Sequence, residues 1–333
     1  MNDFIIVNKV SKVFAPNLTT GEKIASKLGA KVETRSIKAV SDVSLKIAKG
    51  ETIGLVGESG CGKSTLGRLI AGIIEPSFGN ILIDGKRVIE NGVKITTRVQ
   101  TVFQDPFASL DPRMKVGDTV TEGPIAHGLT TKTDSRNYAS SWFIKVGLDP
   151  VWLDRYPHQF SGGQRQRIAI ARALAMHPDV LICDEPVASL DVSIQAQIIN
   201  LFLELTRELK LTTLFISHDL SVVQHLSDKV AVMYLGKIVE LGAVSDIFSK
   251  PAHPYTSALF RSVPKLVLSN KKLVKFDTIK GEVPSPLSPP TGCFYHPRCP
   301  LALCDCNRKE PKLEKIGEKH YVSCHEYKKQ LNL

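Results

Sequence analysis

Residues 52–72 restrict the fold of this chain more than any other segment. The apolar run Thr52–Val56 predicts a buried strand, and the spacing of Leu66 and Ile70 predicts a helix that ends near Gly72. The loop between them fits the pattern G-x-x-x-x-G-K-[ST] and consists of Gly57, Glu58, Ser59, Gly60, Cys61, Gly62, Lys63, Ser64 and Thr65. Glycines let the backbone wrap closely around phosphate groups, and the N-terminus of the following helix attracts anions. The segment therefore predicts an α/β fold with a phosphate-binding loop.

A second predicted strand ends in two acidic residues. The apolar run before Asp184 is typical of a strand buried on both faces in a parallel sheet, and Pro186 would end it. Asp184 could hold magnesium directly or through water, with Ser64 of the loop as a further ligand. Glu185 could orient and polarise an attacking water molecule, while Lys63 would reach the β- and γ-phosphates. The two segments together predict ATP and Mg²⁺ as ligands and hydrolysis as the reaction.

From its start to about residue 260, the sequence resembles the nucleotide-binding subunits of ABC (ATP-binding cassette) transporters. The family signature is similar to the segment formed by Ser161, Gly162, Gly163 and Gln164. Phe160 stands before it where leucine is usual, which is a conservative apolar change. The resemblance implies that this segment binds the γ-phosphate of an ATP molecule held by a partner subunit.

The same resemblance implies roles for four further residues. Gln104 matches the residue that senses magnesium, in a loop that touches a membrane subunit, and Asp191 matches the loop that links two ATP sites. His218 follows a predicted strand and matches a switch histidine near the γ-phosphate. Phe14 could stack on adenine or could be a core residue at a strand end, because residues 15–36 stretch the usual spacing.

The apolar patterns and the resemblance together predict a P-loop NTPase core with a parallel sheet. Short apolar runs in the opening third predict an antiparallel β subdomain beside it. A helical subdomain is expected at about residues 105–165, and an irregular extension that contains cysteines would follow the core. We therefore divide the chain into an ABC ATPase domain at residues 1–260 and a carboxy-terminal extension at residues 261–333.

The extension resembles the end of the oligopeptide and dipeptide importer ATPases, as do residues 107–114 and 253–256. Within those importers the chain is closer to the second of two ATPase subunits. The resemblance implies a motor for uptake of di- or oligopeptides that pairs with a second, homologous ATPase as a heterodimer. Two transmembrane permease subunits would be direct partners, and an extracytoplasmic peptide-binding protein an indirect one.

Other functions remain open on these residues alone. The cargo could instead be nickel, glutathione or a sugar-like solute, because other subunits select it. A soluble ABC ATPase of DNA repair or translation usually carries two cassettes or a long coiled-coil insertion, and neither is recognisable here. A module that binds ATP without hydrolysis is disfavoured by the intact set Lys63, Asp184, Glu185 and His218.

Five of the seven cysteines lie between residues 293 and 324. Their spacings differ from common zinc patterns, whereas four thiolates could hold a [4Fe–4S] cluster. An iron–sulfur cluster, zinc and no metal are therefore the three alternatives. Replacing Cys299 with Ser is expected to leave ATP binding at Lys63 little affected. The candidate ligands are Cys293, Cys299, Cys306 and Cys324, with Cys304 as an alternative to Cys306.

Composition limits where the protein acts. The chain of 333 residues is 43% apolar, yet no apolar stretch approaches the ~18 residues expected of a membrane-spanning helix. Its start also lacks the pattern of a signal peptide. The formal net charge of +10 suits work beside anionic lipid heads, so we expect a peripheral position on the cytoplasmic face of the cell membrane. No nucleic-acid-binding module is recognisable, and nucleic acid is not an expected partner.

Overall fold

The structure is a computed structural model that describes residues 3–15, 36–262, 279 and 281–327. Most of the stretch that separates Phe14 from the next strand, and the lysine-rich segment after residue 262, lie outside the described residues. None of the described helices combines the length and the apolar character that a membrane span requires.

Strands and helices of the described residues are numbered here in chain order. The strands are β1 (Asp3–Phe14), β2 (Ile37–Ala48), β3 (Thr52–Val56), β4 (Phe78–Ile83), β5 (Lys86–Arg87), β6 (Ile89–Glu90), β7 (Val93–Lys94), β8 (Val99–Val102), β9 (Val180–Asp184), β10 (Thr212–Ile216), β11 (Lys229–Tyr234), β12 (Lys237–Ala243), β13 (Glu314–Lys315) and β14 (Tyr321–Val322). The α-helices are α1 (Lys63–Ile70), α2 (Pro106–Ser109), α3 (Val116–Ala126), α4 (Ser135–Lys145), α5 (Gly162–Leu174), α6 (Val192–Leu209), α7 (Leu220–Leu226), α8 (Val244–Ser249) and α9 (Pro254–Arg261). Short 3-10 helices occupy Pro150–Asp154, Pro157–Gln159 and His296–Arg298.

The largest sheet has eight strands in the order β13-β14-β12-β11-β3-β10-β9-β8. The five strands from β11 to β8 are parallel, and the other three continue the sheet in antiparallel fashion. Every residue of β3, β9 and β10 is buried. These strands are continuous apolar runs because both of their faces are covered, as parallel sheets require.

Two apolar cores cover the two faces of this sheet. Alternate residues of β9 divide between them, since Leu181 and Cys183 belong to one core and Val180 and Ile182 to the other. The first core includes α3, α4 and α5, which form the predicted helical subdomain. The second includes α1 and the antiparallel sheet β2-β1-β4-β5, which is the predicted β subdomain. The P-loop NTPase fold predicted from the sequence is therefore confirmed.

The extension is largely irregular, as predicted, but it also adds two short strands to the main sheet. Strand β14 pairs with β12, with Val322 opposite Glu240 and Tyr321 opposite Leu241, and thereby joins the main sheet. Strands of two residues are too short to show any periodicity in a sequence, so the pattern could not reveal them. The rest of residues 281–327 is mostly turns, bends and irregular backbone, with one 3-10 helix at His296–Arg298.

A buried carboxylate fastens the extension to the core. Glu240 is fully buried, and its Oε1 lies 2.8 Å from Nε2 of His320 in the extension. The same carboxylate accepts the backbone N–H groups of Ala252 at 2.7 Å and His253 at 2.9 Å. A buried carboxylate is tolerated only when its oxygens are hydrogen-bonded, and this one has three partners. The contact between Glu240 and His320 thus holds the extension against β12 and the segment before α9.

Candidate functional site

The phosphate-binding loop connects the carboxyl end of β3 to the start of α1, as predicted. Gly62 precedes the helix with φ of 105°, a conformation that L side chains rarely adopt. A Cβ atom at this position would lie 2.2 Å from the carbonyl oxygen of Ala39 in β2. Glycine is therefore required both by the turn and by the close approach of β2. Strand β2 therefore packs directly against the phosphate-binding loop at Gly62.

Lys63 is the first residue of α1, and its side chain folds back into the loop. The residue is 5% exposed. Its Nζ donates to the carbonyl oxygens of Gly57 at 2.9 Å and Glu58 at 3.0 Å. A buried ammonium held only by carbonyl groups is a strong site for an anion, because charge-assisted hydrogen bonds are the stronger ones. The loop therefore concentrates positive potential where phosphate oxygens would enter.

Asp184 ends β9 directly beside the loop. The Ser64 hydroxyl donates to Asp184 Oδ1 at 2.8 Å, although the two residues are 120 positions apart. Burial raises the pKa of the Asp184 carboxyl above its ordinary value, and the hydrogen bond from Ser64 opposes that rise. A hydroxyl and a carboxylate that meet in this way are the oxygen ligands that Mg²⁺ prefers. A divalent cation would also offset the cost of burying the carboxylate.

Glu185 follows with an unusual backbone conformation. Its φ is 49°, which is rare for a residue with a side chain, and its N–H donates to the carbonyl of Ile216 in β10 at 3.0 Å. Its carboxylate Oε2 lies 3.1 Å from Nδ1 of His218, whose side chain is 63% exposed. The strained backbone thus turns the carboxylate toward the histidine beyond the end of β10. A carboxylate held in this position can accept a proton from a bound water molecule.

Lys63, Ser64 and Glu185 line a cleft of about 310 Å³. Gln104, Glu185 and the loop residues 59–65 line it. Phe14 does not line the cleft, but it is 43% exposed and pairs with Ile37, which does. Sequence reasoning missed several lining residues because nothing local marks them. They are Ile37, Lys38, Ala39, Leu235, Gly236 and Pro286.

The signature segment lies outside this cleft. Ser161 is exposed and caps α5, where its hydroxyl accepts the N–H of Gln164 at 3.3 Å. The Gln164 side chain accepts the Ser161 N–H at 2.9 Å in return, so the predicted capping box is present. Asp191 is also exposed and precedes α6. Residues 161–164 and Asp191 therefore lie apart from the nucleotide cleft, as Phe14 does, whereas Asp184 and His218 adjoin it through their hydrogen-bond distances to Ser64 and Glu185.

A larger cavity of about 600 Å³ lies at the opposite ends of β3 and β10. Its lining includes Thr52, Thr213, Phe215 and Asp228. No predicted site residue lines it, and volume alone does not identify a site. The chemistry of the chain therefore favours the smaller cleft.

The predicted cysteine ligands gather in the extension. The Cys293 N–H donates to the Cys306 carbonyl at 2.7 Å, while Cys304 is exposed. Burial, together with the neighbouring thiols of Cys293, Cys299 and Cys306, raises the pKa of Cys324 to about 12. Within residues 3–15, 36–262, 279 and 281–327, no group of three or more His, Cys, Asp or Glu side chains has an arrangement that could hold a metal ion.

Comparison with known protein families gives two matches along the chain. Residues 40–188 match the family described as "ABC transporter". Residues 239–306 match the family described as "Oligopeptide/dipeptide transporter, C-terminal region". The first match spans the loop, the signature and Glu185, while the second spans β12, α9 and most of the cysteines.

Individual proteins agree with these matches. The oligopeptide transport ATP-binding protein AppF of Bacillus subtilis is 49% identical over 87% of this chain and 90% of its own length. The oligopeptide transport ATP-binding protein OppF of Salmonella typhimurium is 46% identical over 87% of this chain and 88% of its own length. A dimeric post-hydrolysis structure of the ATP-binding cassette MJ0796, bound to ADP and Pi, has a TM-score of 0.60 at 26% identity. That likeness covers 72% of this chain and 98% of the other. The chain therefore belongs to the ATP-binding subunits of the ABC transporter family, in the group that carries the oligopeptide/dipeptide transporter carboxy-terminal region.

Proposed function

We propose that this chain is the ATP-hydrolysing motor subunit of an importer of di- or oligopeptides. One observation carries the proposal: a nucleotide cleft built on a phosphate-binding loop and the peptide-transporter carboxy-terminal region occur in one chain. The AppF and OppF relatives, which are named as oligopeptide transport proteins, support peptides as the cargo. We divide the chain into an ATPase domain at residues 1–260 and the extension at residues 261–333.

The residues of the cleft have separate tasks in this proposal. The loop N–H groups and Lys63 bind the β- and γ-phosphates of ATP, and Phe14 stacks on adenine. Ser64, Asp184 and Gln104 hold Mg²⁺, which when bound neutralises charge on the phosphate oxygens. Glu185 orients the attacking water and accepts its proton, while His218 fixes the Glu185 carboxylate beside the γ-phosphate.

The proposal requires a second ATPase subunit. Ser161, Gly162, Gly163 and Gln164 do not line the cleft of their own chain and are at least partly exposed, which suits a role in completing the cleft of another. The likeness to a dimeric ATP-binding cassette supports a face-to-face pair, in which Asp191 lies near the junction. We propose a heterodimer with a homologous ATPase, bound to two permeases on the cytoplasmic face of the membrane and served indirectly by an extracytoplasmic peptide-binding protein.

Uptake in proteoliposomes tests the cargo. The complete transporter, reconstituted with its permeases and binding protein, should accumulate a labelled pentapeptide only when ATP is supplied to the side that carries this chain. Unlabelled peptides should compete, whereas nickel, glutathione and a sugar should not. ATP-driven accumulation of one of those three solutes without peptide uptake would replace the peptide assignment and leave the motor role intact. ATP-independent uptake would contradict the motor role itself.

We further propose that Cys293, Cys299, Cys306 and Cys324 hold a [4Fe–4S] cluster. Four cysteines lie in a segment with little regular structure, and the effect of their thiols on one another's pKa indicates that they are near neighbours. Four thiolates are the usual ligand set of such a cluster. The side chains would have to move to reach ligating positions. Exposed Cys304 would lie outside the site. The role of the cluster would be structural, since small segments with little core commonly need a metal to fold.

Metal analysis of two variants tests the cysteine proposal. Protein purified anaerobically from iron-replete cells should contain iron and acid-labile sulfide. The change Cys299→Ser should release the metal and increase hydrogen exchange after residue 285, whereas Cys304→Ser should leave both unchanged. Zinc in place of iron would change the identity of the metal. The absence of both metals would leave four free thiols and end the proposal.

A further inference from the structure

An ion pair joins the extension to the phosphate-binding loop. Arg298 ends the 3-10 helix of the extension, and its side chain is only 4% exposed. Its two terminal nitrogens donate to the two carboxylate oxygens of Glu58, at 2.7 Å and 3.0 Å. Glu58 is the second residue of the loop, 240 positions earlier in the chain. This fork-to-fork geometry fixes orientation as well as distance, which a single hydrogen bond does not.

Every polar group of Glu58 is committed to a partner around the loop. Its N–H donates to the Tyr255 hydroxyl of α9 at 2.8 Å. Its carbonyl accepts from Lys63 Nζ at 3.0 Å, while its carboxylate binds Arg298. A displacement of Arg298 would therefore move Glu58, and with it the Glu58 carbonyl group that holds Lys63.

A rigid aromatic cluster supports both partners of Glu58. The rings of Tyr234 and Tyr255 have centroids 4.7 Å apart, and the ring of Tyr295 lies 5.4 Å from that of Tyr255. Arg298 also donates to the Tyr234 hydroxyl at 3.4 Å. Tyr295 belongs to the extension, whereas the other two tyrosines belong to β11 and α9. The loop is thus fixed against a surface to which both the core and the extension contribute.

We propose that Arg298 is a positioning residue that orders the phosphate-binding loop, so that the extension sets the affinity of this subunit for ATP. The proposal rests on ATP binding in the proposed function. A loop that is already ordered loses less entropy when phosphate binds, and this raises affinity without any new contact. Pro286 of the same extension lines the nucleotide cleft, which places a second residue of the extension against the ligand site.

A double-mutant cycle on ATP binding tests this coupling. The full chain would be compared with Arg298→Met, Glu58→Gln and the double variant by isothermal titration with ATP and Mg²⁺. Arg298→Met should raise the Kd for ATP roughly tenfold, because the Glu58 carboxylate is left beside buried groups without its partner. The double variant should bind ATP better than Arg298→Met alone. Arg298→Lys should give an intermediate Kd, because it keeps the charge and loses the fork.

A second core-to-extension ion pair provides the control. Lys237 of β12 pairs with Glu310, whose side chain is 57% exposed. Glu310→Gln removes one fastening of the extension and should leave the Kd for ATP unchanged. In the assembled transporter, Arg298→Met should raise KM for ATP while kcat stays nearly constant, a split that a loss of folding would not produce.

Three outcomes would overturn the inference. If the Arg298→Met variant folds and binds ATP as tightly as the unmodified chain, the ion pair does not order the loop. Equal weakening by Arg298→Met and Glu310→Gln would show that docking of the extension in general matters. A strictly additive cycle would show that the two residues act separately. Failure of the unmodified chain to bind ATP would instead contradict the proposed function, so the two failures are distinguishable.

Discussion

Replacing Glu185 with Gln is expected to reduce ATP turnover of the assembled transporter by roughly 100-fold or more, the range found when a general base is removed. The amide keeps the size of the side chain and can still hydrogen-bond His218, whose Nδ1 lies 3.1 Å from the carboxylate. It loses the basic oxygen that would accept a proton from water. ATP binding should persist, because Lys63 and the loop are unaffected, and the closed ATP-loaded dimer should accumulate.

The measurement is phosphate release and ATP affinity with Glu185→Gln in this subunit and the matching change in its partner. Glu90→Gln, at an exposed position of β6, is a matched control and should retain normal turnover. Normal turnover with Glu185→Gln would remove this residue from the reaction. Loss of ATP binding together with turnover would assign it to substrate binding or folding instead.

The change Ser161→Asp is expected to lower turnover of the complete transporter on the order of 100-fold, as loss of a donor to a developing anion does. Asp is as good a helix N-cap as Ser, so α5 should keep its start. The new carboxylate, however, would face the γ-phosphate bound by the partner subunit. Because Ser161 is exposed and outside its own cleft, ATP binding by the isolated chain should not change.

Ser161→Asn separates charge from shape. Asn also caps helices well but is neutral, so turnover should fall much less than with Ser161→Asp. The isolated subunit, diluted until monomeric, should hydrolyse ATP poorly even without substitution and should gain activity in the complex. Full activity of a verified monomer would contradict the shared site. Equal turnover with Asp and Ser at position 161 would contradict the role of the signature.

Local sequence patterns predicted the strands in which every residue is buried. Strands β3, β9 and β10 are continuous apolar runs because they are covered on both faces, and the bounds of β3 were predicted as found. Ser161 was predicted as a helix cap from a spacing of three residues, which is a purely local rule. Ser64 and Asp184 were expected to share a magnesium ion because of their motifs, and a hydrogen bond of 2.8 Å joins them in the structure.

Long-range contacts of the extension could not be predicted in this way. The pairs Arg298–Glu58 and His320–Glu240 join residues 240 and 80 positions apart, and neither has any local signature. The replacement Cys299→Ser was expected to leave ATP binding at Lys63 little affected. The ion pair between Arg298 and Glu58 places the residue next to that cysteine in contact with the phosphate-binding loop. Charged residues in irregular segments reveal their partners only when the chain is folded.

The addition of β14 to β12 also protects the main sheet from self-association. A strand such as β12 at the edge of a sheet would present unpaired N–H and C=O groups, which template pairing with other chains. β14 covers that edge, and the outermost strand β13 has only two residues, Glu314 and Lys315, both exposed and charged. Short, charged edge strands are a poor template for further pairing. The extension therefore helps to keep the protein soluble. In a chain that lacks it, the edge of β12 would be exposed and could pair with other chains.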